Sequence, residues 1–117
     1  MVYSSLCAQC HGAAGEGFGR SFPPLAGAEW VVGNEEQFIR ILLYGLQGPI
    51  EVKGQPYRGL MVGFDRQLTD EDAAALLTYI RSSWGNDAPP VSPSTVARVR
   101  SEPHPGRPLQ SSELVAP

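Results

Sequence analysis

Apolar side chains recur at helical spacing in two stretches of the chain. The first stretch predicts a helix over residues 35–44, whose buried face consists of Phe38, Ile39, Leu42 and Leu43. Asn34 is suited to cap its start, and Gln37 occupies the reciprocal position of a capping box. Gly45 is a natural stop. Pattern and boundary residues therefore agree on one amphipathic helix.

The second stretch follows Thr69, which is placed to cap a helix with Asp72 three residues later. Gly85 is expected to end this helix. Its apolar positions share one face, as is typical of core packing: Ala73, Leu76, Leu77, Ile80 and Trp84. A shorter helix is predicted over residues 1–10, with Tyr3 and Leu6 on one side.

Two segments between these helices, residues 12–33 and 45–63, are rich in glycine and proline and are predicted to be loops. Loops of this length are unusual in a short domain unless they serve a function. A large apolar ligand, buried by these loops, would give them a core to pack on.

The chain has 117 residues and a formal net charge of −3, so we expect one domain without a surface for nucleic acid. No run of 18 apolar residues occurs, and no membrane span is expected. The opening residues lack the basic and apolar segments of a secretion leader. An exported protein would thus have lost its leader, or be a piece of a longer protein.

The composition changes after Gly85, because seven of the eleven prolines follow it. We therefore predict a domain over residues 1–87 and a Pro-rich extension or linker over residues 88–117. A short helix is predicted at 93–101, opened by Ser92 and Pro93. The rest of the extension is either disordered, or wrapped around the domain, or a link to another module.

The only two cysteines lie in Cys7-Ala8-Gln9-Cys10-His11, a C-x-x-C-H sequence that is typical of covalent attachment of c-type haem. The spacing lets two thiols add to two vinyl groups, while His11 reaches the iron. A thioredoxin-like site would need a βαβ pattern, which is lacking. A zinc site would need a fourth ligand, and a disulfide between Cys7 and Cys10 would stabilise little.

A second axial ligand to the iron is predicted at Met61, which lies in a glycine-flanked apolar segment before the last strong helix. The other methionine, Met1, is too close to the attachment sequence. Core filling is the alternative role of a lone methionine. His104 is a weaker candidate, and its alternative role is a solvated surface residue.

Four sequence features together resemble the class I, mono-haem cytochrome c family: CAQCHG at 7–12, PPLAG at 23–27, the segment around Met61, and LTDEDAAALLTYIRSSWGN at 68–86. The chain is similar to cytochrome c domains of bacterial alcohol, sugar and gluconate dehydrogenases. The resemblance implies an all-α cytochrome c fold, with about three to four helices and long loops around one covalent haem c.

The resemblance also implies residue roles. The Pro24 carbonyl would accept a hydrogen bond from the His11 ring and so orient it. Tyr3 and Tyr79 would meet where the helix over residues 1–10 crosses the helix that follows Thr69. Three residues would line the haem pocket: Leu25, Tyr57 and Phe64.

The chain departs from the family pattern at two places. The first helix lacks the usual residues before Tyr3, so its crossing is expected to be weaker or to be completed by the extension. Val62 follows Met61 where many relatives have proline, which is expected to soften the segment.

These observations predict an electron carrier, not an enzyme, that works with a respiratory dehydrogenase, reductase or oxidase. Its redox partners would dock at the haem edge, and the acidic net charge suggests a basic or neutral surface on them. Haem attachment outside the bacterial cytoplasm implies the periplasm or the outer cell surface. The alternative is a haem enzyme or gas sensor in which Met61 is displaced and the iron binds a small ligand.

Overall fold

The computed structural model describes residues 2–104 and 106–117. Six α-helices occur in this part of the chain: α1 (Val2–Leu6), α2 (Ala8–His11), α3 (Glu29–Val32), α4 (Glu35–Tyr44), α5 (Asp70–Ser82) and α6 (Pro93–Ser101). Five short strands accompany them: β1 (Gly45–Gln47), β2 (Ile50–Val52), β3 (Gln55–Tyr57), β4 (Leu60–Val62) and β5 (Leu109–Gln110). A 3-10 turn follows at Ser111–Glu113.

The two strongest helices start where the hydrophobic pattern predicts them, and their caps explain where they start. The predicted stop of the second at Gly85 is wrong, because α5 ends at Ser82 and leaves Trp84 outside the helix. The Asn34 side chain accepts a hydrogen bond from the Gln37 backbone N–H at 3.0 Å. Thr69 accepts one from the Asp72 N–H at 3.1 Å. Each cap satisfies an N–H group that has no partner within the helix. The Gln37 side chain does not return to Asn34, so the predicted reciprocal cap is wrong.

The predicted helix over residues 1–10 is broken into α1 and α2 at Cys7, and Met1 lies outside the described residues. Tyr3 on α1 is buried, with its ring centroid 5.7 Å from that of Tyr79 and 5.0 Å from that of Trp84. The predicted meeting of Tyr3 with Tyr79 is confirmed. Trp84 extends this contact into an aromatic cluster at the helix crossing.

The prediction of an all-α fold is correct for the helical core but wrong for residues 45–63. This segment forms a β2–β3 hairpin, while β1 pairs antiparallel with β4. The strands have only three residues each, too few to leave an alternating pattern in the sequence. Met61 therefore lies in a paired strand and not in the flexible loop that its glycine neighbours suggested.

Two glycines make this close pairing sterically feasible. A Cβ atom at Gly45 would lie 2.3 Å from the Met61 carbonyl oxygen, and one at Gly63 would lie 2.4 Å from the Leu43 carbonyl oxygen. Gly45 also has a φ of +85°, which L-residues rarely adopt. The end of α4 and the Met61 strand thus approach each other more closely than side chains would allow.

The extension after residue 87 packs against the helical core. Val96 and Val99 of α6 are fully buried, and α6 contacts both α4 and α5. Farther along, β5 adds to the sheet beside β1, in the strand order β4-β1-β5. The Gln37 side chain donates to the Val115 carbonyl at 3.0 Å and accepts from the Val115 N–H at 2.9 Å.

Within the described residues, no helix has both the length and the apolar character needed to cross a bilayer.

Candidate functional site

Two neighbouring cavities share part of their walls. The first has about 880 Å³ of free space, its open mouth included, and the second has about 700 Å³. Six residues line both cavities: Cys7, His11, Pro23, Leu46, Ile50 and Met61. All three C-x-x-C-H side chains and Met61 therefore face one continuous apolar region.

The two thiols enter this region from neighbouring turns of the chain. Cys7 lies at the start of α2 and is buried, while Cys10 lies within α2 and is partly exposed; both are free. The amide N–H groups of Cys10 and His11 both donate to the Cys7 carbonyl. Burial raises the pKa of the Cys7 thiol to about 11, and the neighbouring Cys10 thiol acts in the same direction.

The imidazole of His11 is held in one orientation. Its Nδ1 lies 2.8 Å from the Pro23 carbonyl oxygen, and because a carbonyl only accepts, Nδ1 carries the proton. The acceptor is Pro23 and not the predicted Pro24. Burial lowers the pKa of His11, which favours the neutral ring. Nε2 is thereby left with its lone pair free, as an iron ligand requires.

The remaining predicted residues divide between the two cavities. Tyr57 and Phe64 line the first, and Pro24 and Leu25 line the second. His104, the weaker candidate ligand, lines neither: its ring stacks on Tyr44 with the ring centroids 3.9 Å apart.

Sequence analysis missed Leu46 and Ile50, which line both cavities from β1 and β2. Their signal was the presence of bulky apolar residues within a glycine-rich segment. Arg58 was also missed, and it is the only Lys, Arg, Asp or Glu among the described residues that line either cavity.

A family model described as Cytochrome c matches residues 1–84. This chain belongs to the cytochrome c family. Members carry a covalently bound haem c, and electron transfer through that haem is the function that membership implies. The match ends at residue 84, so the family region excludes α6, β5 and the residues that follow them.

Known cytochromes c and cytochrome subunits resemble the chain over different lengths. Cytochrome c-552 of Thermus thermophilus is 51% identical over 84 residues, which are 68% of this chain and 63% of that protein. The cytochrome c subunit of alcohol dehydrogenase (quinone) from Gluconobacter oxydans is 34% identical over 85% of this chain. The gluconate 2-dehydrogenase cytochrome c subunit of Pantoea cypripedii is 34% identical over 86%.

The chain spans less than two thirds of each of these relatives. It covers 21% of the alcohol dehydrogenase subunit and 23% of the gluconate dehydrogenase subunit. It therefore corresponds to a part of those longer subunits.

The residues at the site fit haem c in their chemistry. Two free thiols for thioether bonds, one imidazole nitrogen and one thioether sulfur line the two cavities. The other lining residues are mostly apolar, which suits a large flat macrocycle that must be kept from water. The site thus contains residues that could attach the haem, ligate its iron and bury it.

Proposed function

We propose that this chain carries single electrons through a haem c that is bonded to Cys7 and Cys10 and ligated by His11 and Met61. The haem supplies an iron that alternates between the ferrous and ferric states. The observation that carries the proposal is that His11 and Met61, 50 positions apart in sequence, line the same two cavities.

The protein residues have separate tasks at this site. The thiols of Cys7 and Cys10 hold the haem by covalent bonds, and the Pro23 carbonyl fixes the His11 ring through Nδ1. Met61 offers a soft, neutral sulfur, which favours the less charged ferrous state and raises the potential. The apolar wall acts in the same direction, because burial penalises net charge.

This ligand set suits a carrier better than a catalyst. If the His11 imidazole and the Met61 thioether both ligate the iron, the iron would have no free position for a substrate. Pairing of β4 with β1 holds the backbone of Met61 on both sides of the residue, through Gly45 opposite Val62 and Gln47 opposite Leu60. A paired strand resists the ligand displacement that an enzyme or gas sensor would need.

We further propose that the electrons come from or go to a membrane-associated or periplasmic dehydrogenase, reductase or oxidase. Support comes from relatives whose names describe cytochrome c subunits of alcohol and gluconate dehydrogenases and a cytochrome subunit of fructose dehydrogenase. Since haem c is attached outside the bacterial cytoplasm, the proposed location is the periplasm or the outer cell surface.

The partner would dock where the first cavity opens. Phe22, Leu60 and Val62 line that cavity and are 38%, 59% and 59% exposed. Arg58 lies beside them and is exposed. The mouth is thus apolar with a local positive charge, although the whole chain is acidic. A redox protein with an apolar patch next to carboxylates fits it better than the basic surface that net charge suggested.

Ligation by Met61 is tested by Met61→Ala, with Leu60→Ala as the matched control on the same strand. Wild-type ferric protein is expected to show the weak red absorption band of methionine–iron bonding. Met61→Ala should lose the band and show a lower potential in a redox titration, while Leu60→Ala should retain the band. A high-spin ferric spectrum in the wild-type protein would contradict the proposal.

A further inference from the structure

The strand that carries Met61 is supported by the far end of the chain. Leu46 of β1 is in register with Met61 on one side and with Leu109 of β5 on the other. The sheet therefore runs from the Met61 strand through β1 to residues that lie outside the family region. A two-stranded pair of three residues is marginal by itself, and a third strand stabilises it.

The segment after Met61 is held by the same extension at a second place. Arg100 on α6 donates to the Asp65 carbonyl at 2.8 Å and to the Leu68 carbonyl at 2.9 Å. It also forms ion pairs with the carboxylates of Asp65 and Asp70. One guanidinium thus binds both ends of the turn that joins β4 to α5, with a fork geometry that a single ammonium cannot reproduce.

Arg100 and β5 are themselves anchored by contacts away from the cavities. Val96 and Val99 bury the inner face of α6, and Val115 is bonded to the Gln37 side chain on α4. Arg100 is only 26% exposed at its side chain. The extension is consequently a firm support and not a loosely attached tail.

We propose that α6 and β5 are a positioning element for Met61, in which Arg100 holds the turn after the Met61 strand and β5 supports β1, the strand that pairs with it. This inference rests on the proposed ligation of iron by Met61. Positioning matters here because the strand that carries Met61 has only three residues. Contacts that α6 and β5 make outside the cavity therefore hold the Met61 segment in place.

The test compares full-length holoproteins that carry Arg100→Leu, Arg100→Lys or Arg98→Leu. Arg98 is the matched control, because it lies on the same helix and pairs with Glu36 and Glu102, away from the Met61 segment. Two quantities are measured well below the unfolding temperature: the affinity of the ferric protein for imidazole, which competes with Met61, and the amide hydrogen exchange of residues 60–65.

Arg100→Leu is expected to raise the imidazole affinity about tenfold, since hydrogen bonds to charged groups contribute at about that level. Exchange of residues 60–65 should become faster in parallel. Arg100→Lys should give a smaller change, and it decides the question if Arg100→Leu does not fold. Arg98→Leu should stay within about twofold of wild type.

Two failures are distinguishable. If the wild-type protein lacks the methionine–iron band, ligation by Met61 is wrong and the positioning role falls with it. If the band is present but the Arg100 variants bind imidazole as wild type does, or no better than Arg98→Leu, ligation stands and the positioning role is overturned.

Discussion

The two sides of the haem site are built in different ways. The attachment side, residues 2–12 together with Pro23, is assembled from neighbours in sequence: α2 brings Cys10 and His11 into place within one turn of Cys7. The Met61 side, residues 45–65 together with α6 and β5, joins two pieces of chain that lie far apart in sequence. One side is encoded locally, and the other exists only once the whole fold has formed.

On one side the residues that bond the haem also hold the local structure together, and on the other side these two tasks fall to different residues. Near His11, the residues that bond the cofactor also form the local structure. Near Met61, one three-residue strand supplies the sulfur, and contacts with the rest of the fold hold that strand in place. Substitutions on the attachment side should therefore affect bonding, and substitutions on the Met61 side should affect how firmly the ligand is held.

The largest effect is expected from removal of both thiols in Cys7→Ala/Cys10→Ala. Because no thioether bond can form, covalent haem should be lost completely, as measured by haem staining after denaturing electrophoresis. Met61→Ala is the control from the other side, and it should keep its covalent haem. Retention of the stain in the double variant would show that attachment does not depend on the C-x-x-C-H thiols.

A large effect is also expected at Asn86, which fastens the loop behind the attachment side. Its buried side chain accepts from the Gly27 N–H at 2.7 Å and donates to the carbonyls of Leu25 and Ile80. Asn86→Ala should lower the free energy of unfolding by about 3 kcal/mol, because buried groups lose their partners. Denaturant titration measures this.

The neighbouring substitution Asp87→Ala serves as the control for Asn86→Ala, because Asp87 is exposed. It should change the free energy of unfolding by less than about 0.5 kcal/mol. If both variants lose the same free energy of unfolding, the hydrogen bonds of the Asn86 side chain do not account for the loss.

A pH-dependent effect is expected at Tyr3, whose hydroxyl donates to the Gly12 carbonyl at 2.6 Å next to His11. Burial raises the pKa of the Tyr3 phenol to about 12, from 10.0 in the unfolded chain. A raised pKa stabilises the fold below pH 10, and this contribution is lost as the pH rises through 12.

The free energy of unfolding should thus fall by up to about 2 kcal/mol across this window. Tyr3→Phe has no phenol to ionise and should lack this part of the alkaline loss. Measurements at several pH values in both proteins test the assignment. Parallel curves for the two would assign the alkaline loss to other groups.

The smallest effect is expected at Gln37, which binds the backbone of Val115 with two hydrogen bonds. Gln37→Ala should lower the free energy of unfolding by about 1 kcal/mol and leave covalent haem intact. The exposed Gln67→Ala is its control. A loss as large as that of Asn86→Ala would mean that the contact of Gln37 with Val115 contributes as much to stability as the contacts of Asn86.

Sequence patterns could predict the attachment side because each signal lies within a few residues. The C-x-x-C-H spacing gives three of the cofactor-bonding side chains, and the caps at Asn34 and Thr69 give two helix starts. Choosing between Pro23 and Pro24 was beyond the sequence. Adjacent prolines have equivalent carbonyls, and only the path of the chain decides which one faces His11.

The Met61 side could be predicted only in part. Met61 was identified as a ligand candidate by elimination, but its strand was not, since pairing of Leu46 with Met61 leaves no local pattern. The extension was likewise predicted only in part. The short helix at residues 93–101 was predicted from Ser92 and Pro93 and lies there as α6. The partner of β5 depends on contacts that no window of sequence contains.

The pairing of Leu46 with Leu109 has a consequence for the order of folding. About 60 residues separate the two, so this contact closes a long loop and carries a large entropic cost. The β2–β3 hairpin and the helices, which are local, should form earlier. β5 would then pair with β1 only after the hairpin and the helices have formed. The Met61 side would therefore be accessible to haem during the first stages of folding.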